Sequence, residues 1–165
     1  MQVEIKPAQA SDFETIHQIN ESSVPHVTTI TTAELRTLAS QCCYFGAAWM
    51  EGSVAGFLMA MRPGEDYDSP HYQWFCREYK NFVYIDRIAV AERHKGRGIG
   101  QALYGDVERA IAGAAPLLTC EVNLQPPNPG SLAFHTKLGF VEAGQLESEG
   151  GKKRVSLMVK KLVSA

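Results

Sequence analysis

The run YIDRIAVAERHKGRGIG, Tyr84 to Gly100, constrains this chain more than any other stretch: an alternating apolar strand passes into a loop carrying Gly96, Gly98 and Gly100, then opens a helix. Without Cβ atoms, these glycines let the backbone turn sharply and bring several N–H groups close to an anion. The helix that follows aims the partly positive end of its dipole at the same place. Lys95 and Arg97 add positive charge. The same glycines also suit a tight turn with no ligand, and a glycine pattern alone does not choose between the two.

Spacing removes two familiar nucleotide loops. A P-loop closes on Lys-Ser or Lys-Thr, whereas Gln101 and Ala102 follow Gly100. A dinucleotide fingerprint counted from Gly96 needs glycine where Gln101 stands, and counted from Gly98 needs glycine or alanine where Leu103 stands. Instead, Lys95, Gly96, Arg97, Gly98, Ile99 and Gly100 fill the places of the pattern Arg/Gln-x-x-Gly-x-Gly/Ala. In this the chain resembles the GNAT acyl-CoA-dependent N-acetyltransferases, with one departure: Lys95 stands where that superfamily usually has Arg or Gln. The segment NPGSLAFHTKLGF is similar to the superfamily's Asn-x-x-Ala-x-x-Phe-Tyr-x-x-x-Gly-Phe element through Asn128, Ser131, Phe134, His135, Gly139 and Phe140. Read from its residues alone, it is a short helix with Asn128 as N-cap, Pro129 at its first position and Gly139 as its stop. The combination of YDS, WF, YIDR and EVN-to-PPNP is also similar to a group of bacterial GNAT proteins over most of the chain after Gly56.

The remaining sequence fits one domain spanning residues 1–165, with 45% hydrophobic residues to build a core. A formal charge of −2 argues against a nucleic-acid partner. No apolar run is long enough for a membrane span, and the first residues lack a secretory pattern. Cys42, Cys43, Cys76 and Cys120 lack metal-ligand spacing and read as reduced thiols of a cytoplasmic protein, so no metal is expected.

Periodicity predicts strands over 3–6, 44–50, 54–61, 82–90, 117–123, 140–146 and 154–161, with helices over 11–21, 32–40, 98–113 and 129–138. Ser11 and Glu14 suggest a capping box for the first helix. Glu51-Gly52-Ser53 suggests a hairpin, and Glu149-Gly150-Gly151 a terminal one. The resemblance implies a mixed α/β (α+β) GNAT fold, a central sheet of about seven strands with about four helices. It further implies that the fourth and fifth strands splay apart and admit the pantetheine arm of acetyl-CoA. Residues expected at that cosubstrate are Ile88, Ala89 and Val90, the loop Lys95 to Gly100, and Asn128, Ser131 and Phe134.

Alternation puts Tyr84, Asp86, Ile88 and Val90 on one face of the fourth strand and Ile85, Arg87 and Ala89 on the other. The resemblance places a base at Tyr84 or Asp86, where a carboxylate would take the proton an amine must lose before or during attack on a thioester. Asp86 equally suits an ion pair with Arg87 that only stabilises the sheet. Glu121, on the fifth strand, is a second candidate base or a solvated strand residue. His135 takes the place usually held by a Tyr that protonates the departing thiolate; it fits that role or a structural one. His17, His26, His71 and His94 lack motif context and are expected at surfaces or loops.

The insertion from Arg62 to Asn81 mixes Glu65, Asp66 and Asp68 with Tyr67, Tyr72, Trp74 and Phe75. Acids and rings of this kind suit an amine acceptor. They suit equally a short helix packed on the core, or a homodimer contact. The resemblance implies an N-acetyltransferase that transfers from acetyl-CoA to a primary amine of a small molecule or protein by direct attack in a ternary complex. A non-catalytic acyl-CoA sensor, motivated by Lys95 and His135, and an interaction module built on residues 62–81 are the competing readings.

Overall fold

Seven strands and five α-helices form among the residues described, 2–162 of a computed structural model. In chain order they are β1 (Glu4–Pro7), α1 (Phe13–Ser22), α2 (Thr32–Gln41), β2 (Tyr44–Met50), β3 (Ser53–Met61), α3 (Pro70–Glu78), β4 (Val83–Val90), α4 (Ile99–Ala110), β5 (Leu117–Gln125), α5 (Pro129–Leu138), β6 (Val141–Ser148) and β7 (Lys153–Lys161). Hydrogen bonding orders the strands β1-β2-β3-β4-β5-β7-β6. The sheet is mixed: β4 and β5 run parallel, whereas β1–β2, β2–β3, β5–β7 and β6–β7 are antiparallel. The β4–β5 pairing is recorded at Val83↔Leu118 and Tyr84↔Thr119.

The chain condenses into two compact units, one from residues up to Met61 with Ile85–Ala112, the other from Arg62–Tyr84 with residues from Gly113 onward. In the first unit, Ile16 and Ile19 of α1, Leu35 and Leu38 of α2, and Leu103 and Val107 of α4 recur at helical spacing and are buried with Phe57 and Leu58 of β3. Each such side chain contributes about 1.5–3 kcal/mol on leaving water. Thr31 caps α2, accepting from the Glu34 N–H while the Glu34 carboxylate accepts from the Thr31 N–H. The box expected at Ser11 forms earlier. The Asp12 carboxylate accepts the Gln9 N–H at 2.9 Å, so the chain makes a 3-10 turn over Ala10–Asp12 before α1 begins at Phe13.

Gly56 lets β3 approach β4 closely, since a β-carbon there would lie 2.9 Å from the carbonyl oxygen of Ala89. The β2–β3 hairpin turns on Glu51 and Gly52, both in the left-handed region, as a two-residue turn between twisted strands requires.

In the second unit β5, β7 and β6 form an antiparallel ladder, joined by the start of β4. The stretch 62–81 holds a helix, α3, so there are five helices where the sequence suggested about four. Ser69 caps α3, accepting from the Tyr72 N–H, and Pro70 fills a first-turn position where a missing N–H costs nothing. Tyr72 and Phe75 are buried against Tyr84 and Phe82, and Trp74 lies over Gly144 of β6, where a β-carbon would meet its ring at 2.8 Å. Among the described residues no helix is long and apolar enough to cross a membrane.

Candidate active site

The first unit carries the glycine loop. Gly96 and Gly98 have φ of 77° and 79°, in the left-handed region that side chains disfavour, and a β-carbon on either would meet no atom within 4 Å. Gly98 is the N-cap of α4 and offers no side-chain cap. The first backbone bond back to it comes from Ala102, so the N–H groups of Ile99, Gly100 and Gln101 are the ones a helix start leaves without intrahelical acceptors. Lys95 pairs with Glu92 at 2.8 Å and Arg97 with Glu51 at 3.4 Å, both as exposed pairs that exchange readily with another anion. A shallow groove of about 600 Å³ starts at Gly98 and runs along Gln101, Ala102, Gly105 and Arg109 of α4 beside Glu4 of β1. On β4, Ile88 and Val90 are half-buried and Ala89 is buried, as strand alternation requires.

Asp86 lies in this unit and is bound to its neighbour. Arg87 donates from Nε to Asp86 Oδ2 at 2.7 Å, with the two side chains 6% and 3% exposed. Arg87 also donates to Asn20 Oδ1 at 3.0 Å and to the Thr28 carbonyl at 3.1 Å, tying β4 to α1 and to the connection that follows it. The Cys42 thiol is pushed up to about 12, first by burial and then by the Asp86 charge, which leaves it no nucleophilic thiolate at neutral pH.

The second unit gathers a different cluster. Tyr84 of β4 donates its hydroxyl toward Glu121 of β5, 2.9 Å from Oε1 and 2.7 Å from Oε2. His71 of α3 places Nδ1 3.2 Å from Glu121 Oε1. Tyr84 is fully buried and His71 is 7% exposed, contrary to the surface or loop position expected for that histidine. His94 is likewise buried. His71 lies on α3, bonded to Glu121 fifty positions away, and His94 ends the 3-10 turn Glu92–His94. The signals available for His71 were local: Ser69 and Pro70 mark a helix start, and Tyr72 and Phe75 share a helical face.

On α5, Asn128 accepts the Ser131 N–H at 3.3 Å, the cap expected from its sequence. Phe134 and Phe140 pack edgewise on the His135 ring. The buried His135 has Nδ1 2.8 Å from the Ser131 carbonyl oxygen and 3.2 Å from Ser131 Oγ. A carbonyl accepts only, so the neutral ring carries its proton on Nδ1 and presents a lone pair at Nε2. Burial lowers its pKa, which the Ser131 carbonyl only partly opposes, so the neutral form is the working one near pH 7.

The profile described as the Acetyltransferase (GNAT) family matches residues 10–140, which include the glycine loop, Glu121 and all of α5. This chain belongs to the GNAT acetyltransferase family. As a GNAT acetyltransferase it is an acyltransferase, and its seven-strand mixed sheet is the GNAT fold implied by the sequence motifs. Ard1 from Thermoplasma volcanium is similar with a TM-score of 0.78 at 20% identity, over 99% of this GNAT chain and 100% of that one. Arabidopsis thaliana NAA60, solved in complex with a bisubstrate analogue, gives 0.77 at 17% identity over 99% and 100%. The ribosomal-protein-S18-alanine N-acetyltransferase from Escherichia coli gives 0.75 at 15% over 99% and 96%. At these identities the likeness speaks for the fold. No curated protein matches the chain.

Proposed function

We propose that this GNAT protein is a cytoplasmic N-acetyltransferase that passes the acetyl group of acetyl-CoA to a primary amine by direct attack in a ternary complex. The observation that carries this reading is the start of α4: two left-handed glycines and an uncapped helix end present bare backbone N–H groups, the chemistry a pyrophosphate needs. Ile88, Ala89 and Val90 supply strand backbone for the pantetheine arm, Lys95 and Arg97 offer exchangeable charge, and the family resemblance assigns Asn128, Ser131 and Phe134 to the cosubstrate as well.

Acetyl-CoA supplies an activated acyl carbon and a thiolate leaving group. The protein then has to orient the amine and take a proton from it. Asp86 is engaged by Arg87, which favours the Glu121 and Tyr84 cluster for this work. A thiolate leaves readily, so His135, neutral and bonded through Nδ1 to Ser131, serves better to pack and orient α5 than to donate a proton. The E. coli neighbour is named for an alanine of a ribosomal protein, which makes protein N-termini one acceptor class beside small amines.

The test is an acceptor screen over N-terminal peptides and small primary amines, read by free-thiol release, with acetyl-CoA affinity measured by calorimetry. Amine-dependent thiol release supports transfer. Acetyl-CoA binding without release across the panel supports the sensor reading, and no binding of any CoA derivative supports the interaction module.

A further inference from the structure

His71 is absent from the motifs that identify the family, yet its ring is held in the manner of a working base. Nδ1 faces Glu121 Oε1, and the carboxylate can only accept. The Tyr84 hydroxyl proton is already directed at the same carboxylate. Neutral His71 therefore keeps its proton on Nδ1 and its lone pair on Nε2. Nε2 is buried and has no hydrogen-bond partner among the described residues. Thr119 Oγ1 is also buried without a partner, and strand alternation puts Thr119 on the same face of β5 as Glu121. Buried polar atoms are nearly always paired, so these two exceptions, one on the ring that faces Glu121 and one two places before Glu121 on the same strand face, call for a polar partner.

We propose that His71 Nε2 takes the proton from the acceptor ammonium, with Glu121 and Tyr84 as positioning residues for the imidazole and Thr119 Oγ1 as a hydrogen-bonding partner for the acceptor. This rests on the acyltransferase reading. Glu121 is less suited to direct abstraction, because Oε1 already serves both Tyr84 and His71 and Oε2 serves Tyr84. The ring is held firmly. Pro70 and the Ser69 cap fix the start of α3, while the Tyr72 hydroxyl donates to the Arg62 carbonyl at 2.7 Å and accepts from the Glu65 N–H at 3.0 Å. Glu121 of β5 and Tyr84 of β4 are the titratable groups bonded around it; α3 itself also carries Tyr72, Cys76, Arg77 and Glu78, β4 Asp86 and Arg87, and β5 Cys120.

In the step, one ammonium proton moves to Nε2, and the freed nitrogen lone pair forms the C–N bond at the thioester carbonyl. As the tetrahedral adduct collapses the C–S bond breaks, the sulfur keeps the electron pair, and the second nitrogen proton goes to that thiolate. The products are the amide, free CoA thiol and an imidazolium that faces the Glu121 carboxylate until it returns its proton to solvent.

His71→Asn separates the base from a structural role, because the Asn amide N–H can replace Nδ1–H toward Glu121 but offers no atom at the position of Nε2. With acetyl-CoA and a peptide bearing a free N-terminal alanine, or spermidine as a small-amine probe, His71→Asn should stay folded and bind acetyl-CoA as the wild type does. It should lose about 10²–10⁴-fold in kcat and flatten the acid limb of the kcat/KM profile. Glu121→Gln should keep that limb but displace it, with a smaller rate loss. Nitrogen NMR of the His71 ring reads the tautomer without turnover, and a proton on Nε2 rather than Nδ1 overturns the proposal. So does a His71→Asn variant that retains wild-type turnover and its acid limb. Absence of calorimetric acetyl-CoA binding in the wild type is a different failure, since it removes the acyltransferase reading itself.

Discussion

The hydroxyl of Tyr84 reaches both oxygens of the Glu121 carboxylate, at 2.9 and 2.7 Å, across the short stretch where β4 and β5 pair in parallel. The register that sets Tyr84 beside Thr119 lets the ring span to the residue two places further along β5. Tyr84→Phe should thus cost about 1.5–3 kcal/mol, the range for a hydrogen bond to a charged group. Urea unfolding measures it. An unchanged midpoint would show that this bond contributes nothing to the fold.

Asp86 and Arg87 form a buried pair, and removing either partner leaves the other charge uncompensated. Asp86→Ala and Arg87→Ala should each destabilise by about 3–5 kcal/mol, and the double variant should show a coupling of about 1–3 kcal/mol. A double-mutant cycle in urea gives both numbers. Should Asp86→Asn instead abolish turnover with stability intact, Asp86 is the base and the ion pair is incidental.

Gly98 sits at φ 79° with open space where a β-carbon would project. Gly98→Ala should cost roughly 1–2 kcal/mol of backbone strain. Gly98→Asn should recover much of that stability, because Asn tolerates the left-handed region, yet bind acetyl-CoA at least about tenfold more weakly through crowding of the cradle. Full affinity in the Asn variant, measured by calorimetry, would take the pyrophosphate away from this loop.

His135 has its pKa lowered from 6.5 by burial. As pH falls through that value the unfolded chain takes up a proton before the native protein does, so stability declines until the native pKa is reached and is fully present above pH 6.5. His135→Gln should flatten the stability profile below pH 6.5, where the loss occurs, and leave its slope above that pH unchanged. An identical slope in the variant would show that the buried ring is not its source.

Local chemistry made much of this structure legible in the sequence. Asn128, Pro129 and Gly139 bound α5 as read, because capping is decided within a few residues. The left-handed Gly96 and Gly98 follow from residues that alone adopt such φ values cheaply. For Asp86, and for Trp74 and Phe75, the packing alternative is visible in the geometry: Asp86 pairs with Arg87, and the two rings lie on α3. The start of α1 departs from the Ser11 expectation because Ser11 and Asp12 both suit a cap, and the reach of Asp12 to the Gln9 N–H decides between them. His71 stayed hidden because its meaning comes from Glu121, fifty positions away in the chain, and sequence spacing carries no sign of that contact.

The central claim is direct attack of an amine on acetyl-CoA in a ternary complex, with no acyl-enzyme between. Initial rates with both substrates varied test it most directly: the account predicts intersecting double-reciprocal lines, and no acetylated protein when acetyl-CoA is supplied without acceptor. Parallel lines, together with a trapped acetyl group on Cys42 or another side chain, would contradict it.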